Sequence, residues 1–228
     1  TLVKLDPNNG DQLWVRLGHL PVNRSARLYG TDLVIAHNSI YSIYLGDPAG
    51  QSITNTKVYI QRTDLDGNLI WVKQYELPGA ADYSHDFIVS GNGFVALTFD
   101  DLTRDCYLFK IDTIGEVLWA KSFLIDAVTF PTQKDRANSQ LIEAGNQLIF
   151  TGRNINTTGD ADLVLLRTDL NGDLQSPCIA SQALTLLAQE VNNPVFYAIT
   201  PEEFLVDRDV TDQFPQVKEV FLSRSPVC

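Results

Sequence analysis

The stretch Arg62 to Trp71, RTDLDGNLIW, carries the densest run of potential ligands in the chain. Asp64, Asp66 and Asn68 place oxygens at alternate positions around Gly67, as the start of a calcium loop does. A complete loop of that kind needs a bidentate glutamate at its twelfth position, and counting from Asp64 that position is Tyr75. The three residues are therefore weak metal candidates. Other chemistry is thinner. His19, His37 and His85 lie in separate segments, without the His-x-x-x-His or Cys-x-x-Cys spacing that gathers a metal. Asp100-Asp101 and Glu202-Glu203 could suit glycoside chemistry, but neighbours on a strand point to opposite faces and cannot flank one bond. Nucleophile elbow, phosphate loop and dinucleotide fingerprint do not occur. The sequence thus offers no catalytic residue and no cofactor-binding set.

Repetition decides what the Asp-x-Asp-Gly stretch is. Three more segments share its pattern: LVKLDPNNGDQLWVRL from Leu2, YLFKIDTIGEVLWAKSF from Tyr107 and LVLLRTDLNGDL from Leu163. In each an apolar run reaches a basic residue (Lys4, Arg62, Lys110, Arg167), then an aspartate (Asp6, Asp64, Asp112, Asp169) and a glycine (Gly10, Gly67, Gly115, Gly172). Trp14, Trp71 and Trp119 follow the first three glycines by four residues, and a second basic residue (Arg16, Lys73, Lys121) stands two beyond each tryptophan. The aspartates are 58, 48 and 57 residues apart. A turn explains all four copies, whereas calcium explains one.

These units read as pairs of antiparallel hairpins. VYIQRT and LIWVKQY flank the Asp-x-Asp-Gly-Asn turn, where glycine supplies a positive φ and aspartate can bond backbone amides. A preceding hairpin is predicted in HDFIVSGNGFVALTF around Gly91-Asn92, in SQLIEAGNQLIFTG around Gly145-Asn146, and in ARLYGTDLVIAHNSIYSIYL with Gly30 at its turn. Four-stranded units of this length predict an all-β chain built as part of a β-propeller, about three and a half blades, with the tryptophans between neighbouring sheets. The predicted parts are 1–24, the outer hairpin of a first blade; 25–79, 80–126 and 127–182, three blades; and 183–228, a strand-rich tail or linker to a further domain. Strands after residue 182 either return to complete the first blade or earlier blades lie outside this chain. The second is favoured, because common propellers have about four to eight blades.

Composition narrows the partners. Lys plus Arg is 17 against 28 Asp plus Glu, a formal net charge of −11, which repels phosphate backbones and anionic lipid, so nucleic acid is not expected. No apolar run is long enough for a membrane span, and the first residues lack a signal peptide's pattern. Methionine is absent, even at position 1, so the chain is expected to be a piece of a longer one whose other domains are its first partners.

The pattern Lys/Arg-x-Asp-x-x-Gly-x-x-x-Trp, as in KIDTIGEVLW, resembles the repeats of large secreted or cell-surface β-propeller proteins of Bacteroidota; VKLDPNNGDQLW is also similar to quinoprotein-type repeats. The likeness covers about residues 1 to 176. It implies a non-catalytic scaffold, spacer or adhesion module, exported by a type IX-like outer-membrane system, that contacts surface proteins or glycans. The alternative is a fragment of a propeller enzyme, a quinoprotein dehydrogenase, lyase or hydrolase, with its site in the central channel. Residues that would contact a quinone cofactor are not matched, so no cofactor is carried over. In an exported chain, Cys178 and Cys228 could form a disulfide, which would close a loop of about fifty residues and add roughly 3–4 kcal/mol; whether they are bonded is open. Cys106, on a predicted strand, reads as a buried small hydrophobe.

Overall fold

The computed structural model describes residues 2–19, 28–46, 57–78, 83–99, 105–123, 140–155, 161–174, 181–191 and 195–199. Among these there are sixteen strands and no helix. The first sheet holds β1 (Leu2–Leu5) and β2 (Gln12–His19). The second holds β3 (Leu28–Ala36), β4 (Ser39–Gly46), β5 (Lys57–Thr63) and β6 (Leu69–Glu76). The third repeats this with β7 (Tyr83–Ser90), β8 (Gly93–Phe99), β9 (Cys106–Asp112) and β10 (Val117–Phe123). The fourth has β11 (Leu141–Ala144), β12 (Gln147–Ile155) and β13 (Ala161–Asp169). Within each sheet consecutive strands pair antiparallel, so the chain is an all-β meander of successive sheets.

Burial shows how the sheets lie. Every residue of β4 and of β8 is buried, which a strand achieves only when both faces of its sheet are covered. Tyr41, Ile43, Ile60 and Tyr75 of the second sheet pack with Phe87, Phe94 and Phe109 of the third. Val95, Leu97 and Leu108 on the third sheet's other face pack with Leu141, Leu148, Phe150 and Leu166 of the fourth. The sheets therefore stack face to face in chain order. We call the face turned to the following sheet outgoing and the opposite one incoming. Cys106 is wholly buried among Phe99, Leu108 and Phe123, and burial pushes its thiol well above the ordinary range, so it packs as a hydrophobe.

Two expectations change here. Gly30 is not a turn residue: it lies within β3, beside the register shift between Gly30 and Asp32. The β3–β4 turn is instead made by His37 and Asn38, at φ 49° and 55°, so two consecutive left-handed residues close the hairpin without glycine. The His37 ring then sits edge-on to Phe94 at 5.9 Å, a packing role.

The second concerns the tail. Its described part does not lead away as a linker but runs back along the stack in reverse order. β14 (Ser181–Ala183) pairs with β10, β15 (Leu187–Glu190) with β6 and β16 (Val195–Ile199) with β2, each antiparallel and each on the outer edge. Between the first two, Leu184 donates its amide to Ala120 O at 2.9 Å and Leu186 is buried in the core shared by the second and third sheets. β16 joins the first sheet beside β2, so it does not supply that sheet's inner strands. The strap covers three edges that would otherwise expose unpaired amides and carbonyls. Cys178, Cys228, Asp100-Asp101, Glu202-Glu203 and the rest of 200–228 lie outside the described residues.

Candidate functional site

The four aspartate turns share one construction. Asp64 Oδ1 accepts the amides of Asp66 and Asn68 at 2.9 and 2.8 Å, and Oδ2 accepts the Asn68 side-chain amide at 2.8 Å. Asp112 accepts the amides of Ile114 and Glu116, Asp169 those of Asn171 and Asp173, and Asp6 that of Asn8. The glycines Gly10, Gly67, Gly115 and Gly172 all sit at φ 78–82°. At Asp64 the side-chain amide of Asn68, then the backbone amides, hold the carboxyl below its ordinary range. The oxygens that suggested calcium thus close a turn, and Asp66 faces Lys4 of the first sheet at 3.9 Å.

Each turn also makes the joint to the sheet before it. A Cβ built on Gly67 would lie 2.8 Å from Arg16 Cγ and 3.0 Å from the Trp14 ring; one on Gly115 would lie 2.9 Å from Trp71; one on Gly172 would lie 2.8 Å from Trp119. Glycine is needed here both for its dihedral and because a tryptophan of the preceding sheet fills the space a side chain would take. The basic residue two beyond the tryptophan then pairs with the residue after the next glycine: Lys73 with Glu116, and Lys121 with Asp173 at 2.6 Å. In the first two units the basic residue before the aspartate reaches a carbonyl of the next turn, Lys4 to Leu65 O at 3.1 Å and Arg62 to Thr113 O at 3.3 Å, whereas Lys110 bonds Ser90 Oγ of its own sheet at 3.1 Å. The structural repeat residues Asp6, Gly10, Trp14, Asp64, Gly67, Trp71, Asp112, Gly115, Trp119, Asp169 and Gly172 are therefore brought together in successive pairs of sheets, not in one cleft.

A second joint, absent from the sequence reading, links the inner strands. Asp32 follows the register shift in β3, and Asp86 follows the matching shift in β7. Asp32 Oδ1 accepts the Leu33 amide at 2.7 Å and Oδ2 the Phe87 amide of the next sheet at 3.0 Å. Asp86 repeats this with Phe87 at 2.9 Å and Leu141 of the following sheet at 2.5 Å. The signal was an aspartate immediately before the first apolar run, TDLVIA and HDFIVS, where the fourth unit has Gln140 instead. The two carboxyls are neighbours through the Phe87 amide, which donates to both. Desolvation first, and then the Asp32 carboxyl beside it, raise Asp86 above the ordinary carboxyl range, against the lowering effect of the Leu141 and Phe87 amides.

A raised carboxyl stabilises the fold below its unfolded value near 3.8, and that contribution is lost as pH rises through the folded value. Asp86→Asn removes the titrating carboxyl and keeps one oxygen to accept an amide, at a cost that does not change with pH. Wild type should therefore lose stability relative to this variant as the pH of chemical denaturation is raised from about 4 to about 7. Parallel pH profiles would refute the raised Asp86 carboxyl.

Comparison with known proteins finds no matching family model, no matching curated protein and no matching solved structure. Among the described residues there is no group of three or more His, Cys, Asp and Glu placed to hold a metal ion, and no helix long and apolar enough to cross a membrane.

Proposed function

We propose that this chain is a non-catalytic β-propeller module of a large secreted or cell-surface protein, serving as a scaffold or as a platform for protein or glycan contact. The observation that carries this reading is the joint itself. Three times, a tryptophan and a basic residue of one sheet seat the glycine turn of the next, with the spacing needed to continue the stack. The residues whose types suggested chemistry are spent on these joints: Asp64 on its turn, His37 on Phe94, Cys106 in the core. What varies between units is the number of residues between the two hairpins, 47–56 in the second unit against 100–105 in the third. Intervals of unequal length on a repeated frame suit recognition rather than a shared reaction. Repulsion of polyanions by the net charge fits a protein or neutral-glycan partner.

Antibody raised against this chain should label intact cells of the organism that makes it, and the complete reading frame should encode an export signal and further repeats. Labelling only after lysis, or a short precursor with clustered polar residues on its inner strands, would overturn the proposal.

A further inference from the structure

Asp86 stands where three sheets meet. Its Oδ1 accepts the Phe87 amide at 2.9 Å, the same amide that Oδ2 of Asp32, in the second sheet, accepts at 3.0 Å. Its Oδ2 accepts the Leu141 amide of the fourth sheet at 2.5 Å. One N–H therefore lies between two carboxyls, and the remaining oxygen ties down β11. That strand is the inner edge of the fourth sheet, four residues long, and Leu141 is its one buried side chain. The hold on β11 from the third sheet is thus concentrated at a single residue.

The two links answer a proton in opposite senses. Ionised, Asp86 offers Leu141 a charge-assisted acceptor, roughly twice as strong as a neutral one, but sets its charge beside the Asp32 carboxyl. Protonated, it relieves that repulsion, gains an O–H to donate towards Asp32, and leaves Leu141 a neutral oxygen. The strands packed most on β7 are β3, β4, β8 and β11. Among the described residues these carry Asp32 and Glu143 as acids and no base, with tyrosines on β3 and β4; Tyr83 and His85 stand on β7 itself. β7 meets β3 more extensively than β11, so lifting β11 removes the Leu141 amide and leaves the larger part of the desolvation in place.

We propose that Asp86 is a proton-operated latch on the inner edge of the fourth sheet. Ionised, it holds β11 down through Leu141; protonated, it turns its hold to Asp32 of the second sheet and lets β11 lift. The local effect runs against the trend of the whole chain. The raised carboxyl stabilises the fold most at low pH, so an amide that exchanges through global unfolding loses protection as pH rises. Leu141, exchanging through the lifting of β11 alone, gains it.

Single-residue hydrogen exchange of the whole chain, followed by NMR with each rate divided by its intrinsic value, tests the latch. Between about pH 4 and about pH 7 the protection of the Leu141 amide should rise about tenfold, the difference between a neutral and a charged acceptor. The Val95 amide, on a central strand of the third sheet, should show no such rise. Asp86→Asn should keep Leu141 at its low-pH protection throughout. Asp32→Asn removes the neighbouring charge, leaves an oxygen to accept an amide, and should move the rise to lower pH. Leu141 protection that stays flat in the wild type or falls in step with Val95 would overturn the proposal, and the wild-type profile decides even where a variant does not fold. A rise that persists in Asp86→Asn, or that Asp32→Asn does not move, would overturn it as well.

Discussion

Replacing Trp71 by alanine is expected to lower the unfolding free energy by about 3–5 kcal/mol, the usual range for deleting a large aromatic from a packed site. Its ring lies under the Gly115 turn of the third sheet, meets Tyr41 edge-on at 6.1 Å, and has the Lys73 ammonium 5.9 Å from its centre. Removing it would leave a void between two sheets and unseat Lys73 from its pairing with Glu116. The indole nitrogen of Trp71 is buried without a hydrogen-bond partner, so the ring acts by volume and not by its N–H. Trp71→Phe should accordingly recover most of the loss. Chemical denaturation of the two variants checks this, and equal losses would show that the indole edge matters in a way the packing does not explain.

Gly115→Ala is expected to cost about 2–5 kcal/mol, as the sum of two terms that a second variant separates. A left-handed backbone at φ 82° penalises any Cβ by about 1–2 kcal/mol. The collision of that Cβ with Trp71 at 2.9 Å, Lys73 at 3.0 Å and Tyr75 at 3.1 Å adds overpacking of about 1–3 kcal/mol. Gly10 has nearly the same dihedral, φ 79°, and open space around it, so Gly10→Ala should show the first term only. The difference between the two variants measures the joint. If both cost the same, the turn glycines are kept for their dihedral and not for the approach of tryptophan.

The aspartate turns were legible in the sequence because they join three local requirements within a few residues: a carboxylate to hold amides, a glycine for positive φ and apolar runs on either side. Sheet order followed from the repeat. Cys106 followed from its place in an apolar strand. The Gly30 turn was misplaced because glycine is the stronger turn signal, while His37-Asn38 closes the hairpin through a conformation that asparagine tolerates and that histidine is forced to share. Asp32 and Asp86 escaped notice because a single acid on a strand looks like solvated charge until a register shift turns it toward the next sheet. The tail was legible as strand-rich, and β15 and β16 fall within it, but not its partners, since pairing with β10, β6 and β2 uses backbone groups that any sequence possesses.

That tail alters the thermodynamic character of the stack. In a linear array of repeats each unit feels only its neighbours, and stability is a sum of local terms from which end units can peel away singly. Here one segment threads back past three sheets, so losing the third sheet's edge also slackens the hold on the second and first. Nearest-neighbour coupling becomes long-range coupling, and melting of the described sheets is drawn toward a single cooperative event. The same return also sets an order of assembly during synthesis: hairpins can close as they emerge, but their outer edges stay open until residue 199 has arrived.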